Sequence, residues 1–374
     1  MTLNKNHQAF FALVRAGLWE SKVRLLPYGN VNYSVIFQLA EEQSVTGLIT
    51  AGLEHIEDVK APQEDVLQFI GSSLQIEQQN MAMNVFVAKL IEKLRKEDVY
   101  TLLVKGQGIA QCYERPLWRA SGDVDLLLND TNYEKAKKVL IPLADGVEQE
   151  YKSFKHIGMT LNGEYVVELH GTMHSRLSKR IDRGVDEAQN DVFFGGSVRS
   201  WQNGNTQVFL PRADEDVIFV FTHILHHFYI EGIGLRQICD WCRLLWTFRD
   251  SLNYGLLESR IRKMGLMSEW KAFAAFAVDY LGMPIDAMPF YDSRFKVKGE
   301  GILEFVFETG NFGHNRDYGY YDKYPYLVYK TISFWKHIKD GYRYFRIFPL
   351  DSLKVMARRM VVGFSVVLRG KRSE

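Results

Sequence analysis

The first 97 residues carry hydrophobic side chains at the spacing of an α-helix. Apolar residues recur at intervals of three and four between Phe10 and Leu18 and again between Val35 and Val45. After Pro62 a longer periodic stretch runs from Val66 to Leu94 and ends in a charged segment. Such spacing gives each helix one apolar face that can pack against a neighbour. The pattern therefore predicts an N-terminal helical region over residues 1–98.

The period changes near residue 100, where short runs of strand-forming residues alternate with glycine-containing turns. Asn162 followed by Gly163 is a strong hairpin signal, because both residues tolerate the positive φ angles of a tight turn. The patterns predict strands over 100–104, 123–128, 151–161, 164–170 and 206–210. They also predict a short helix over 109–114 and a helix over 131–140 that Thr131 caps.

Helical spacing returns after Pro211 and is clearest over 216–229 and 236–249. Helices, then short strands with turns, then helices again are typical of an α+β protein. The sequence thus predicts a small mixed-sheet α+β module over 99–210. Helical regions over 1–98 and 211–374 are expected to flank it.

Composition narrows the class of protein. Of the 374 residues, 47% are hydrophobic and 24% are charged, which excludes a disordered chain, a collagen-like chain and a coiled-coil rod. Three cysteines are too few for a disulfide framework and favour a reducing compartment. Residues 1–20 do not resemble a secretion signal, and the apolar run 360–368 is too short to span a membrane. We therefore expect a soluble cytoplasmic protein.

The net charge of +1 conceals an asymmetry along the chain. Residues 329–374 carry eleven Lys and Arg against three acidic residues, a net charge of +8, which leaves −7 for residues 1–328. Such a basic tail could meet nucleic acid, anionic lipid or another subunit. It could equally lie against the acidic remainder of its own chain. The sequence leaves both readings open.

Two acidic residues lie on one face of a predicted strand. Asp123 and Asp125 are two positions apart, so the pleat directs both carboxylates to the same side. Acids on an otherwise apolar strand need a compensating partner, and a hard cation such as Mg²⁺ is one. If the strand that carries Glu168 pairs beside them, its carboxylate completes an acidic triad. Three carboxylates could hold two metal ions about 3.5–4 Å apart.

Groups that bind anions lie close to these acids in the sequence. Residues 105–108, Lys-Gly-Gln-Gly, end one predicted strand and open a helix. Glycines at such a point let backbone N–H groups approach an anion, and Lys105 adds a charge suited to a phosphate oxygen. Arg119 and Ser121 supply a guanidinium and a hydroxyl on the approach to Asp123. Anion donors beside cation-binding acids predict a site for a metal–triphosphate complex.

These segments carry a family resemblance. Residues 103–106 (LVKG) and 119–127 (RASGDVDLL) resemble the signature of the bacterial uncharacterised nucleotidyltransferase family, part of the DNA-polymerase-beta-like nucleotidyltransferase superfamily. Residues 167–170 (VELH) resemble its third-carboxylate strand, and 216–245 resemble its helical tail. The resemblance covers roughly residues 30–250 and extends to the AbiEii-type toxin nucleotidyltransferases. Gln107 departs from the superfamily's usual Gly-Gly or Gly-Ser pair, which leaves the choice of nucleotide open.

The resemblance implies transfer of a nucleoside monophosphate from a nucleoside triphosphate to an acceptor hydroxyl, with release of pyrophosphate. It implies a two-metal mechanism that uses Mg²⁺ or Mn²⁺, with catalytic and metal-binding roles for Asp123, Asp125 and Glu168. The residues expected to bind the phosphates are Lys105, Gly106, Gly108, Arg119 and Ser121. The acceptor stays open: a small molecule, a protein side chain and an RNA end would all need the same metal site.

Other functions stay open beside this one. The chain could be a non-catalytic member of the fold that captures a nucleotide or a partner protein. It could also be a toxin-like enzyme that modifies tRNA ends, which the basic tail favours and the acidic remainder disfavours.

Simpler structural readings compete for individual residues. Asp123 and Asp125 could cap a turn and pair with Arg119, whose role could be purely structural. Glu168, His170 and His174 could instead bind zinc. Three histidines share one face of a predicted helix, where they could reach a metal ion, although two of them are instead expected to line or underlie the cleft: His223, His226 and His227. Cys239 and Cys242 have redox spacing, but their predicted helical setting favours packed thiols.

Overall fold

The structure, a computed structural model, describes residues 3–152, 154–230, 232–311, 323 and 326–349. Helices dominate the N-terminal part, as predicted. Their bounds are α1 (Lys5–Trp19), α2 (Tyr33–Glu42), α3 (Thr46–Glu54) and α4 (Gln63–Lys96). Helices α1 and α3 cross at glycines, because a Cβ on Gly17 would lie only 1.9 Å from the carbonyl oxygen of Leu48. Small residues here allow two helix backbones to approach closely.

A mixed five-stranded sheet follows, with strand order β1-β2-β5-β4-β3. Its strands are β1 (Leu102–Val104), β2 (Asp123–Leu127), β3 (Ala144–Val147), β4 (His156–Leu161) and β5 (Tyr165–His170). Strands β2 and β5 are parallel neighbours, and the other pairs in the sheet are antiparallel. The predicted hairpin of β4 and β5 is confirmed, and both Asn162 and Gly163 adopt positive φ angles in its turn.

Short helices connect these strands, and two of their predicted starts were wrong. Helix α5 (Gly106–Ala110) begins three residues before the predicted Ile109, because the glycines expected to form a break make its first turn. Helix α6 (Asp130–Leu140) is capped by Asn129, whose side chain accepts the N–H of Asn132 at 2.9 Å. Thr131, the predicted cap, lies inside the helix.

Three elements of this part were not predicted. They are β3, the helix α7 (Lys179–Phe194) and the strand β6 (Arg199–Asn203). The predicted strand over 206–210 is confirmed as β7 (Thr206–Leu210). It pairs with β6 in a separate two-stranded ribbon.

The C-terminal part is helical again. Its helices are α8 (Ala213–Ile230), α9 (Leu235–Phe248), α10 (Tyr254–Met264), α11 (Met267–Leu281), α12 (Lys296–Thr309) and α13 (Tyr326–Ile347). The predicted segments 216–229 and 236–249 fall within α8 and α9 apart from one terminal residue. The α+β class with flanking helices is confirmed. Beyond residue 349, the predicted basic tail lies outside the described residues.

Two hydrophobic cores position the sheet. In the larger core, helices from both ends of the chain meet: Phe11 of α1 packs edge-on against Phe307 of α12, with ring centroids 5.7 Å apart. The smaller core lies between α4, α6 and one face of the sheet, where Phe86 stacks on Tyr165. The other face of β2 and β5 lines a cleft. No described helix combines the length and hydropathy that crossing a membrane requires.

Candidate active site

The three predicted carboxylates come together at this cleft. Asp123 and Asp125 extend from the same face of β2, and the parallel pairing sets Asp125 directly beside Glu168 of β5. One oxygen from each carboxylate lies within 4.8 Å of the other two. Val124, between the two aspartates, is 1% exposed and faces the smaller core. The alternation of the strand thus gives one face to packing and the other to acidic chemistry.

Positively charged groups compensate the buried Asp125. Lys105 Nζ lies 2.8 Å from Asp125 Oδ1, and His170 Nε2 lies 2.7 Å from the same oxygen. Lys105 stands between β1 and α5 with a φ angle of +56°, a backbone conformation that favours glycine. A strained residue whose side chain reaches into a polar cleft is typical of a functional site. The structure therefore brings the predicted Lys105 to the acidic cluster itself.

These contacts set the protonation of the cluster. Burial opposes ionisation of Asp125, but Lys105 and the hydrogen bond with His170 outweigh it, so the pKa of Asp125 is lowered. For Glu168 burial is likewise outweighed, here by hydrogen bonds from His156 and His170, and its pKa is also lowered. The neighbouring charge of Asp125, together with burial, raises the pKa of Asp123. The surroundings thus favour the ionised forms of Asp125 and Glu168 and oppose that of Asp123.

One histidine that contacts the acidic cluster, His156, was missed from the sequence. His156 Nε2 lies 3.1 Å from Glu168 Oε2, and His170 Nε2 lies 3.3 Å from the same oxygen. In the hairpin His156 pairs with His170, because three residues separate the paired Leu161 and Tyr165. A two-residue turn at Asn162 and Gly163 would place His156 opposite Leu169, so the turn signal alone could not have found this contact. His174, the predicted third member of a zinc set, instead pairs with Asp186 at 2.6 Å.

The predicted guanidinium Arg119 is held in a buried ion pair. Its Nε and Nη2 donate to the two carboxylate oxygens of Asp240 at 3.0 and 2.6 Å. Its Nη1 donates to Ser121 Oγ at 2.7 Å. The structural reading of Arg119 is therefore supported in part, although its partner is Asp240 of α9 and not Asp123 or Asp125. No local sequence pattern links residues 119 and 240.

The buried side-chain amide of Gln107 joins the loop that contains Ser121 to helix α4. Ser121 Oγ donates to Gln107 Oε1 at 2.7 Å, and Gln107 Nε2 donates to Asn80 Oδ1 at 3.1 Å. Asn80 in turn donates to the carbonyl oxygens of Leu117 and Arg119. Gln107 thus fixes the loop before β2. The predicted Gly106 and Gly108 lie on either side of it in α5.

Helices α8 and α9 form the opposite wall of the cleft. The predicted histidines His223, His226 and His227 all line it. His223 Nε2 lies 2.8 Å from His227 Nε2, and burial lowers the pKa of His223, so this ring is neutral. Arg236, also missed from the sequence, lines the cleft and donates to the carbonyl oxygen of Ala120 at 2.8 Å.

The remaining candidate pair, Cys239 and Cys242, lies away from this chemistry. Both thiols are buried, and burial raises the pKa of each. Because the thiolate is the reactive form, these cysteines are packed thiols, as expected.

Comparison with known proteins gives one match. The sequence profile of a family described as "Uncharacterised nucleotidyltransferase" matches residues 30–282, more than half of the chain. The match contains the acidic cluster, the loop with Lys105 and the helices of the opposite wall. The search of curated proteins and the search of solved structures found no match. The similarity to AbiEii-type toxins stays a prediction.

Proposed function

The chain belongs to the uncharacterised nucleotidyltransferase family, and on that premise we propose that it transfers a nucleoside monophosphate to an acceptor hydroxyl. The convergence of Asp123, Asp125 and Glu168 on one cleft is the observation that carries the proposal. Three carboxylates from adjacent strands form a donor set that few roles other than cation binding require.

The donor set fits a divalent cation. Hard carboxylate oxygens suit Mg²⁺ or Mn²⁺, and Asp125 is 1% exposed, so its charge needs a nearby positive partner. Asp123, Asp125 and Glu168 would hold the metal, which would supply Lewis-acid stabilisation of charge on the phosphoryl oxygens. Glu168 accepts hydrogen bonds from His156 and His170, which favour its ionised form. We assign it as a ligand and not as a proton acceptor.

In this proposal the loop between β1 and α5 binds the phosphates of the nucleotide. Lys105 lines the cleft beside the acids, where its ammonium group can neutralise a phosphate oxygen. The first N–H groups of a helix lack acceptors within the helix, so that of Gly106, which lines the cleft, suits the same anion. Gly108, also predicted to bind phosphate, is buried against Leu103 and Leu210 and is not among the described residues that line the cleft. Arg236 adds a second cationic side chain from the opposite wall.

Arg119 and Ser121, predicted to bind phosphate, receive a different role in this proposal. The guanidinium of Arg119 is engaged by Asp240, and the hydroxyl of Ser121 joins Arg119 to Gln107. These contacts fix the segment that leads into β2. Arg119 and Ser121 would therefore position Asp123 and would not touch the nucleotide.

The reaction would form one bond and break one bond at the α-phosphorus. The acceptor oxygen would bond to that phosphorus and lose its proton to water, while the bond to the β-phosphate oxygen breaks and pyrophosphate leaves. Lys105 would offset the negative charge that develops on the leaving group. The acceptor stays open among a small molecule, a protein and an RNA end.

A labelling experiment tests this proposal. The full chain is incubated with each of the four nucleoside triphosphates labelled at the α-phosphate, with Mg²⁺ or Mn²⁺ and a cell lysate as the acceptor pool. We expect label to move to a metabolite, protein or RNA, and to require the metal. Asp125→Asn should reduce the rate by at least about 1,000-fold, since a buried ligand is lost.

Asp130→Asn is the matched control. Asp130 is exposed and pairs only with Lys155 among the described contacts, so the rate should stay within about twofold of that of the unchanged chain. Transfer that persists in Asp125→Asn would overturn the mechanism. Nucleotide binding without transfer of label would instead favour the non-catalytic reading.

A further inference from the structure

A second set of cation ligands adjoins the three carboxylates. Antiparallel pairing sets His156 of β4 opposite His170 of β5, with ring centroids 4.8 Å apart. The Nε2 atoms of the two rings lie 3.1 and 3.3 Å from the same oxygen of Glu168. Two nitrogens and one oxygen thus converge in the cleft, beside the carboxylates of Asp123 and Asp125.

The spacing suits a metal ion with nitrogen ligands. Bonds of about 2.0–2.2 Å to imidazole and carboxylate give ligand–ligand edges of about 3.3–3.5 Å in a tetrahedral site. The two observed nitrogen–oxygen distances are those of hydrogen bonds and lie near this range, so a metal ion bound here would take the place of the Nε2 protons. Imidazole with carboxylate is a donor set of Zn²⁺, Mn²⁺ and Co²⁺, whereas Mg²⁺ prefers oxygen alone.

The ring of His156 packs near the rings of Tyr151 and His170, but its polar contacts are few. Its Nδ1 atom is buried and forms no hydrogen bond with the described part of the chain. The polar contact of the ring is therefore the shared oxygen of Glu168. The half-buried imidazole of His156, oriented through one atom toward a carboxylate and a second imidazole, is arranged as a ligand.

We propose that His156, Glu168 and His170 bind a transition-metal ion such as Zn²⁺, Mn²⁺ or Co²⁺. This site shares Glu168 with the all-oxygen group of Asp123 and Asp125, so two cation sites of unlike chemistry lie side by side. The proposal does not rest on nucleotide transfer, because the histidine site can fill whether or not the reaction occurs.

Cobalt binding to the full chain tests it. After chelator treatment the protein is titrated with Co²⁺ alone, followed by its visible absorption, and with Mn²⁺, followed by pulsed electron paramagnetic resonance for coupling to imidazole nitrogen. We expect nitrogen coupling and one bound Co²⁺ that millimolar Mg²⁺ does not displace. His156→Ala should weaken Co²⁺ binding at least about tenfold, since loss of even an outer-shell partner costs about 10–100-fold.

His174→Ala is the control, because His174 lines the same cleft but pairs with Asp186. It should leave Co²⁺ affinity unchanged. Unchanged affinity in His156→Ala, or the absence of nitrogen coupling in the unchanged chain, would overturn the site. Asp123→Asn separates the two proposals, since it should abolish label transfer and leave Co²⁺ bound.

A different observation concerns the outer face of α4. Five large apolar side chains of this helix are 39–58% exposed: Leu67, Ile70, Leu74, Met81 and Val85. At about 100° per residue they fall within a stripe about 60° wide and about 27 Å long. The opposite face of α4 packs into the protein, with Phe69 and Leu94 buried. A long apolar stripe on a helix surface is typical of helix–helix association.

The charges of α4 favour a second copy of the chain in the opposite direction. Glu64 lies just before the stripe and Lys89 just after it, and both are exposed. Antiparallel pairing would place Leu67 against Val85 and each Glu64 beside the partner's Lys89. Parallel pairing would set like charges together. We infer that two copies associate through antiparallel α4 helices about a two-fold axis.

Sedimentation equilibrium of the full chain tests this interface. We expect a mass twice the 43.3 kDa of one chain at about 50 µM, and a single-chain mass for Leu74→Glu with Val85→Glu. Val297→Glu, at a position that is 76% exposed on α12, should leave the dimer intact. Mixed Glu64→Cys and Lys89→Cys chains should form a disulfide with each other.

A single-chain mass for the unchanged protein at this concentration would overturn the dimer and leave the stripe to another segment or protein. If disulfides formed only between two Glu64→Cys chains or between two Lys89→Cys chains, the antiparallel direction would be overturned.

Discussion

At the scale of single residues, the cleft gathers groups that are unfavourable on their own. Asp125 is a buried carboxylate, and Lys105 adopts a φ angle that favours glycine. The ammonium group of Lys105 and the carboxylate of Asp125 compensate each other's buried charge, because their charged atoms lie 2.8 Å apart. Residue types and spacing were enough to predict Asp123, Asp125, Glu168 and Lys105 as partners at one site. The distances between these residues could be known only from the folded structure.

Removing the ammonium group should therefore destabilise the protein in a metal-dependent way. Lys105→Ala leaves Asp125 with less positive charge, at a cost of about 3 kcal/mol in the free energy of unfolding when a chelator is present. Millimolar Mg²⁺ should recover much of this loss, because a bound cation replaces the missing charge. Thermal unfolding with and without Mg²⁺ measures the difference. Lys135→Ala, at an exposed position, should change little, and an equal loss in both conditions would contradict the prediction.

A buried acid away from the cleft should give stability a pH dependence. Burial raises the pKa of Asp216 to about 6, although Arg199 donates a hydrogen bond to it. Because an unfolded Asp titrates near about 3.9, the folded state binds the proton more tightly. The contribution of Asp216 to stability is thus present below about pH 4 and lost as pH rises through 6.

Asp216→Asn removes this titration. The free energy of unfolding of the variant relative to the unchanged chain should rise by roughly 2 kcal/mol between pH 4 and pH 7. Urea unfolding at both pH values measures the difference. A difference that falls with pH would show that the ion pair with Arg199 dominates.

At the scale of elements, the sequence predicted most of those with a clear apolar face. Helix α7 is an exception, because its buried Ile181, Val185, Ala188 and Val192 follow helical spacing and it was still missed. Strands β2 and β5 alternate between buried apolar and acidic positions, and α8 and α9 carry continuous apolar faces. Strand β3 was missed because it is short and mostly exposed, and β6 because its residues are largely polar. Such elements are held by the neighbours they pair with, which no local pattern reveals.

Close helix packing at this scale gives a matched pair of glycine substitutions. Gly17→Ala would push a Cβ against the Leu48 carbonyl and should lower the free energy of unfolding by about 2–3 kcal/mol. Gly71 of α4 has no heavy atom within 4 Å of the same position, so Gly71→Ala should raise it by about 0.5–1 kcal/mol through helix propensity. Urea unfolding of both variants measures the contrast. Equal effects would show that α1 and α3 can move apart.

At the scale of the whole molecule, the three regions predicted from the sequence share their cores. The mixed-sheet segment contributes Leu102, Ile109 and Leu127 to the same core as Phe11 and Trp270 of the flanking helices. Arg243 of α9 donates to the carbonyl oxygens of Leu18 and Cys112, in two different regions. The boundaries at 98 and 210 stay a prediction about sequence regions.

We expect that residues 99–210 do not fold alone. The fragment would expose apolar side chains that the flanking helices cover in the full chain. It should bind a hydrophobic dye and unfold without a cooperative transition, whereas the full chain should unfold in a single main transition. Circular dichroism during heating measures both. A cooperative transition of the fragment would instead support an independent domain.

The sequence by itself determined the α+β class, the position of the mixed-sheet segment and the residues that form the acidic cluster. It did so because alternation, turn residues and paired acids are local patterns. Only the tertiary structure decided that Asp240 engages Arg119, that His156 joins Glu168, and that helices from both ends form one core. These contacts join residues far apart in the chain or across a strand pair, and their free energy comes from burial and charge pairing that exist only after folding.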